Sequence, residues 1–327
     1  MNFTSLYYFK ELTQDLNMTQ TARRLYISQQ TLSNHILRLE EYYKIPLFTR
    51  RHGLKLTPAG QQLLNFATKV LNDHKQLQDL FIDMRHEKRG FLRFGASPLR
   101  ATKSLPHILP AFSAQYPDVE IHLLNDNSET LQSKLFDGEL DLALCILDTP
   151  PQAVTKASLL LRDQVFLCVP ETILTTHYPQ TAAKLKDKSL SGANVKDFAK
   201  LPFMLPIPSN KLGKSVALCF DEAGYTPQVY LSAKYVMIEN TIAEHNLSAF
   251  FMTQTSVFAA DPEVMKKINV FPLLYNNAFV YLDLYLMRSS AEYQSAYTNY
   301  FADLLKQHFN AVNAARLAHK VEAMTSI

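Results

Sequence analysis

Glycine and cysteine are scarce in this chain: its 327 residues hold eight of the first and three of the second. So few glycines leave little material for a glycine-rich loop that cradles phosphates, and the sequence contains none. The cysteines, Cys145, Cys168 and Cys219, lie far apart, form no C-x-x-C pair and each sit in an apolar run. That pattern excludes a disulfide framework, reads as three buried structural thiols and fits a reducing cytoplasm. No apolar run approaches the ~18 residues of a membrane span, and MNFTSLYYFKEL at the amino terminus lacks the basic and apolar regions of a signal peptide. Internal repeats and low-complexity tracts are missing too. So are the motifs of catalysis: no G-x-S-x-G elbow, no H-E-x-x-H and no Cys/His metal spacing, with ten histidines scattered singly. The expectation is a cytoplasmic protein that is not an enzyme, with no catalytic residues, no metal and no cofactor.

What is present is a folded composition, 47% hydrophobic and 19% charged, long enough for two or three domains. The net charge of +3 is unevenly placed. Residues 1–60 carry eight Lys/Arg against four Asp/Glu, whereas the rest carries 25 against 26. A basic amino-terminal module on a near-neutral body suits phosphate contact by that module.

Residues 18–40, MTQTARRLYISQQTLSNHILRLE, read as two short amphipathic helices joined by a tight turn. Thr19 is the expected cap of the first and Ser28 of the second. Leu32, Ile36 and Leu39 share one face of the second helix. The other face shows Gln29, Gln30, Thr31, Ser33, Asn34 and Arg38, rich in donors and acceptors and poor in carboxylates. A helix lying in a DNA major groove needs such a face. Residues 3–14 form a further helix whose Leu6, Phe9 and Leu12 pack beneath. LFTRRHGLKLT (47–57) reads as a basic hairpin, a wing carrying Arg50, Arg51, His52 and Lys55. Arg23 and Arg24 suit either phosphate contact or a solvated helix face.

Pro58 suits the first turn of a long helix reaching to about residue 89. Leu63, Ala67, Val70, His74, Leu77, Phe81 and Met84 step by four and three along it, a heptad seam. A helix of ~28 residues spans about 42 Å, too long to lie wholly on a small module, so its seam is expected to meet a partner helix. Leu63, Val70, Leu77, Phe81 and Met84 are its candidate dimerisation residues. After Gly90, short apolar strands alternate with helical segments, which predicts βαβ units, a mostly parallel sheet and two lobes with a cleft between them. The strand candidates include 91–96, 119–124, 141–146, 165–169 and 279–287; helices are expected at 103–116, 128–138, 211–223 and 291–308.

Together these residues resemble the LysR-type transcriptional regulators over about 1–308. Phe9, Thr19, Ala22, Leu25, Ser28, Gln29, Leu32, Ser33, Ile36, Leu39, Glu40, Leu47, Phe48, Arg50, Leu56, Thr57, Ala59 and Gly60 fall at the family's residue types and spacing, as do LRFGAS (92–97), PDVEI (117–121) and GELDLAL (138–144). The resemblance implies an α/β architecture in three parts. These are a winged helix-turn-helix DNA-binding domain (1–58), a dimerising linker helix (59–88), and a two-lobed periplasmic-binding-protein-like effector domain (89–310). Lobe I is expected at about 89–161 and 269–310, lobe II at about 162–268, and a tail at 311–327. It also implies a homodimer or homotetramer that binds a double-stranded DNA operator, with a small-molecule effector controlling DNA bending or contact with RNA polymerase. Departures from the family pattern are Thr21 where alanine is more usual, Asn34 in place of Arg or Lys, a wing one residue short, and HNLSAFF (245–251) where a Gly-Leu-Gly turn is usual.

The expected DNA contacts are Ser28, Gln29, Gln30, Thr31, Ser33, Asn34 and Arg38, with Arg50 and Arg51 from the wing. Gln and Asn bond bidentately to adenine, and Arg to guanine or phosphate. The expected effector residues sit on strand-end loops at the cleft. They are Ser97, Leu99 and Arg100; Asn127, Ser128 and Ile146; and Met204, Ser209 and Asn210. Arg100 and Lys211 would favour a small anion, whereas Asp126 or Asp148 turned inward would favour an amino acid. A second reading from a different class stays open: a ligand-binding assembly protein whose amino-terminal module is silent on DNA.

Overall fold

The computed structural model describes residues 2–49, 53–85, 88–149, 156–233, 239–258, 260–289 and 293–325. They divide into two compact units, Met1–Glu87 with Ala291–Ala296, and Lys88–Ser290 with Tyr297–Ile327.

The first unit opens with three helices, α1 (Phe3–Asp15), α2 (Met18–Arg24) and α3 (Gln29–Tyr43). Leu6, Phe9 and Leu12 of α1 recur at helical spacing and pack with Ala22, Leu32, Ile36 and Leu39 in one buried cluster. Asn17, not Thr19, caps α2, its Oδ1 accepting from Gln20 N at 3.0 Å. Asparagine caps at least as well as threonine, and starting there leaves the Thr19 hydroxyl to donate to Gln29 Oε1 at 3.1 Å. Ser28 caps α3 as expected, accepting from Thr31 N at 3.0 Å. Strands β1 (Phe48–Thr49) and β2 (Lys55–Leu56) pair antiparallel as the base of the hairpin. The tip residues Arg50, Arg51 and His52, expected to carry the wing's charge, lie outside the described residues.

Helix α4 (Pro58–Met84) starts with Pro58 in its first turn and Thr57 as its cap, Oγ1 accepting from Gly60 N at 2.9 Å. Its early turns cover the three-helix core: Leu63 and Ala67 are buried in that cluster and Val70 packs beside it. This corrects the expectation for Leu63, whose side chain is committed to its own module rather than to a partner helix. His74, the polar break in the seam, stacks on Phe3 with ring centroids 4.4 Å apart. Beyond it Leu77, Phe81 and Met84 are 46%, 48% and 67% exposed.

The second unit is built on a seven-stranded sheet. Its strands are β3 (Arg89–Ala96), β4 (Asp118–Asn125), β5 (Leu142–Ile146), β6 (Lys156–Pro170), β9 (Phe250–Thr253), β10 (Ile268–Pro272) and β13 (Tyr281–Arg288). The order is β10-β6-β13-β5-β3-β4, with β9 also on β6. Helices α5 (Pro98–Gln115) and α6 (Ser128–Phe136) link the early strands, and α13 (Ala296–Thr325) follows the last. The region after β6 holds α7 (Glu171–His177), α8 (Ala182–Leu190), β7 (Pro202–Pro206), α9 (Lys211–Ala223), β8 (Gln228–Ala233) and α10 (Glu239–Glu244). Helices α11 (Gln254–Phe258) and α12 (Pro262–Met265) complete it.

The expected mostly parallel sheet is in fact mixed. β3 pairs parallel with β4 and β5, and β7 with β8, but every pair made by β6, β9, β10 and β13 is antiparallel. The cause is β6, fifteen residues long where only 165–169 was expected. Its residues 156–164 pair with β13, and 165–170 pair with β9 and β10. Two apolar cores divide at the same point: Leu160 and Leu161 belong to one and Val165 and Leu167 to the other. The chain returns to β13 through a hairpin, β11 (Leu274–Tyr275) and β12 (Ala278–Phe279), turned by Asn276 and Asn277 at φ 48° and 58°. Two left-handed asparagines suit a two-residue hairpin turn. Cys145, Cys168 and Cys219 are buried thiols outside any disulfide, and burial pushes the Cys145 and Cys219 thiols up to about 12.

A Cβ added at Gly60 would lie 2.2 Å from the Leu47 carbonyl oxygen and 2.7 Å from Leu56 Cδ2. Gly60→Ala is therefore expected to destabilise the first unit by about 1–3 kcal/mol through overpacking. Denaturant unfolding checks this; an unchanged midpoint would mean that the hairpin base yields freely.

Candidate nucleic-acid interface and effector site

Helical periodicity sets what α3 shows to solvent. With Leu32, Ile36 and Leu39 buried, Gln29, Gln30, Thr31, Asn34 and Arg38 are exposed, Ser28 is exposed at the cap, and Ser33 is half-buried. Six of the expected contacts thus lie along one open face, with Ser33 at its border. The carboxylates of α3, Glu40 and Glu41, lie at its far end. Glu40 is turned to structural use, accepting from Leu47 N at 2.7 Å and Phe48 N at 3.2 Å, which moors the hairpin to the helix. Tyr26, in the turn before α3, is 96% exposed at φ 55°. The sequence reading missed this exposed aromatic; a non-glycine turn residue was its only signal.

Of the two undecided arginines, Arg23 is exposed, whereas Arg24 clasps α2 to α1. It pairs with Glu11 and with Asp15 Oδ2 at 2.7 Å. Thr21, the departure from alanine, is buried and donates to Asp15 Oδ2 at 2.9 Å. The Arg24 and Thr21 hydrogen bonds hold the Asp15 carboxyl below its usual range. His35 ties α3 to α1 in the same manner, its Nδ1 2.8 Å from Ser5 Oγ and its ring edge-on to Tyr8 at 4.9 Å.

Burial, and then the Arg38 charge, holds the His35 imidazole below its ordinary value. The unfolded chain protonates it near the usual ~6.5, so the unfolded state binds more protons in that range. The first unit should then be stable above about pH 6.5 and lose stability as pH falls below it. Thermal melts at about pH 7.5 and 5.5 should show a smaller acid-induced drop for His35→Gln than for the wild type. Equal drops would contradict this.

In the second unit, each expected effector residue has a definite place. Ser97 caps α5, accepting from Arg100 N at 3.4 Å, and Leu99 is half-buried beside it. Asn127 caps α6 through Thr130 N at 3.0 Å, and Ser128 Oγ accepts from Ile146 N at 2.9 Å, which joins α6 to the end of β5. Asn210 caps α9 through Gly213 N at 2.8 Å, and Ser209 is exposed just before it. Lys211 pairs with Asp148, and Lys214 with Glu129. These two ion pairs bring the start of α9 against the loop after β5 and the start of α6. Met204 lies elsewhere, buried with Cys168, Ile242 and Phe250. Its expected place on an open ligand surface is thus corrected: β7 turns that side chain into the core. Arg100 is corrected as well. Instead of reaching solvent or an open cleft, it is 3% exposed and donates to Asp163 Oδ2 at 2.6 Å. In HNLSAFF, Asn246 alone of the two glycine positions is left-handed, at φ 51°; Ser248 is buried in an ordinary backbone conformation. The described residues hold no cluster of three or more His, Cys, Asp or Glu able to bind a metal ion. No helix among them is long and apolar enough to cross a membrane.

Comparison with known proteins bears on both units. A family model described as bacterial regulatory helix-turn-helix protein, lysR family, matches residues 3–61, and one described as LysR substrate binding domain matches residues 85–310. The HTH-type transcriptional regulator CysB of Haemophilus influenzae is 25% identical over 272 residues, covering 81% of this chain and 79% of that protein. Among solved structures, a full-length OxyR variant from Pseudomonas aeruginosa superposes with a TM-score of 0.64 at 19% identity, covering 94% of this chain and 97% of that one. Full-length CbnR complexed with its target DNA gives 0.55 at 18% identity, covering 94% and 99%.

Proposed function

The chain belongs to the LysR family of bacterial transcriptional regulators, and we propose that it reads a double-stranded operator through the exposed face of α3. Ser28 and Thr31 meet the backbone, and Gln29, Gln30, Ser33, Asn34 and Arg38 face base edges. Arg50 and Arg51 add phosphate contacts from the wing. The observation that carries this reading is the one-sided face: donors and acceptors are exposed along α3, while its carboxylates are displaced to its far end. That same feature argues against an assembly protein silent on DNA, which has no need of it. The second unit binds a small effector between its two cores, and the bound state alters DNA bending or contact with RNA polymerase in the cytoplasm. The domain boundaries expected from the sequence, at 58, 88 and 310 with lobes dividing near residue 162, are part of the same proposal.

Binding to the chain's own upstream DNA at two salt concentrations tests the proposal. Affinity should fall steeply with salt, as counterion release requires, and a residual preference over random DNA should persist. Binding that ignores both salt and sequence would remove the DNA role. Gln29→Ala should weaken operator binding by roughly 1–3 kcal/mol and leave affinity for random duplex unchanged, the mark of a base contact. An equal loss on random DNA would make Gln29 a positioning residue.

We further propose that the chain is a homodimer or homotetramer joined through the exposed end of α4. Val70 is half-buried on its own module, so Leu77, Phe81 and Met84 carry the seam. A carboxylate there would be desolvated without a partner. Leu77→Asp with Phe81→Asp should therefore halve the mass measured by light scattering. Wild-type mass in that variant would exclude α4 from the interface.

A further inference from the structure

Both cations that sequence chemistry assigns to an anionic ligand already face carboxylates: Lys211 pairs with Asp148 and Arg100 with Asp163. The second pair is buried, with Arg100 3% and Asp163 0% exposed. It lies where β6 leaves its pairing with β13 and takes up β9, between the two apolar cores. The two oxygens of Asp163 are divided between the two sides. Oδ2 accepts from Arg100 Nη2 of α5 at 2.6 Å, and Oδ1 accepts from Thr255 N of α11 at 2.9 Å. Three buried polar atoms on Arg100, on Thr255 and on the residue before it remain without a partner: Arg100 Nη1, Gln254 Oε1 and Thr255 Oγ1. Gln254 itself is 8% exposed. Buried polar groups are nearly always paired, so orphans on both partners of one carboxylate, and on the residue beside one of them, call for an occupant.

We propose that Arg100, Gln254 and Thr255, set around Asp163, form the floor of the effector site and take a small polar ligand without net charge. This rests on the reading of the second unit as an effector-binding domain. The chemistry follows from charge and from donor count. The buried ion pair is already neutral, so an anion added beside it would leave an uncompensated buried charge. A cation would meet the unpaired Nη1 donor of a positive guanidinium. Nη1 offers a hydrogen, Gln254 Oε1 offers a lone pair, and the Thr255 hydroxyl can do either. A primary carboxamide, with its carbonyl and NH₂ side by side, answers all three; so does the neutral zwitterion of an amino acid. The simple carboxylate expected from the sequence can accept from Nη1 and the Thr255 hydroxyl but leaves Gln254 Oε1 without a donor.

The test is thermal stabilisation of the full chain by five probes: acetamide, L-alanine and L-glutamine against sulfate and succinate. The neutral probes should raise the melting temperature, with acetamide and L-alanine separating amide from zwitterion. Gln254→Met, close in shape, should weaken the response about tenfold through loss of one buried hydrogen bond. If that variant does not fold, Thr255→Val takes its place with the same expected direction. Arg100→Gln with Asp163→Asn, which removes both charges together, should weaken the neutral probes without creating a response to sulfate. Stabilisation by the anions alone overturns the proposal and leaves an effector-binding domain of another specificity. Neutral probes acting equally on wild type and Gln254→Met overturn the location. No stabilisation by any probe overturns the ligand class, and a wild-type operator footprint then keeps that failure apart from the regulator reading.

Discussion

Everything on the DNA side follows from burying three residues of one helix. Leu32, Ile36 and Leu39 share a face because a helix turns once in 3.6 residues, and the core under them is closed by Leu6, Phe9 and Leu12. Once that face is down, the orientation of Gln29, Gln30, Asn34 and Arg38 is no longer a free choice. The Ser28 cap fixes where the helix begins, and the Glu40 carboxylate fixes where the hairpin leaves it. The exposed face of α3 is therefore held chiefly by packing and capping, with Gln29 also accepting from Thr19, so most of its side chains stay open to solvent. The clasp of Arg24 on Glu11 and Asp15 adds orientation more than stability, since water screens ion pairs at the surface.

The second unit depends on a different constraint, a single strand shared by two cores. β6 gives its first nine residues to one set of partners and its last six to another. Asp163 sits at the change and must be satisfied there, because a buried carboxylate without a partner is costly. Arg100 and the Thr255 backbone supply the bonds, one from each side. That arrangement ties the start of α5 to the start of α11 through one side chain. A ligand that touches either partner thus touches the point about which the two cores meet.

Much of this was legible in the sequence, and the failures have physical causes. The periodicity gave α1, expected at 3–14, within a residue and set the start of α3 after Ser28, but α3 runs on to Tyr43 past the expected residue 40 and α4 ends at Met84 rather than near residue 89; helix α9 matched its expected range of 211–223. Ser28 was correctly placed at a helix start, as a short polar side chain preceding a helical run, whereas Asn127 and Asn210, expected as effector contacts, are the caps of α6 and α9. Asn17 was overlooked in favour of Thr19, since both are capping residues two positions apart and only tertiary packing separates them. The first half of β6 was missed because KASLLLRDQ has neither strict alternation nor flanking turn residues; its strand character comes from pairing with β13, more than a hundred residues away. Leu63 was assigned to a dimer seam because a heptad does not say which turns a neighbouring module covers. Arg100 looked like a free cation for the same reason: its partner, Asp163, lies 63 residues along the chain. Side-chain partners that are remote in sequence leave no local pattern to read.

Selection of bound sequences from a random duplex pool addresses the central claim most directly, because it asks whether the α3 face reads bases. A dimer that presents two such faces should enrich one interrupted palindrome, with half-sites set apart by about one helical turn or a multiple of it. Retention of the pool with no enriched sequence would contradict the account and leave the helix a positioning element only.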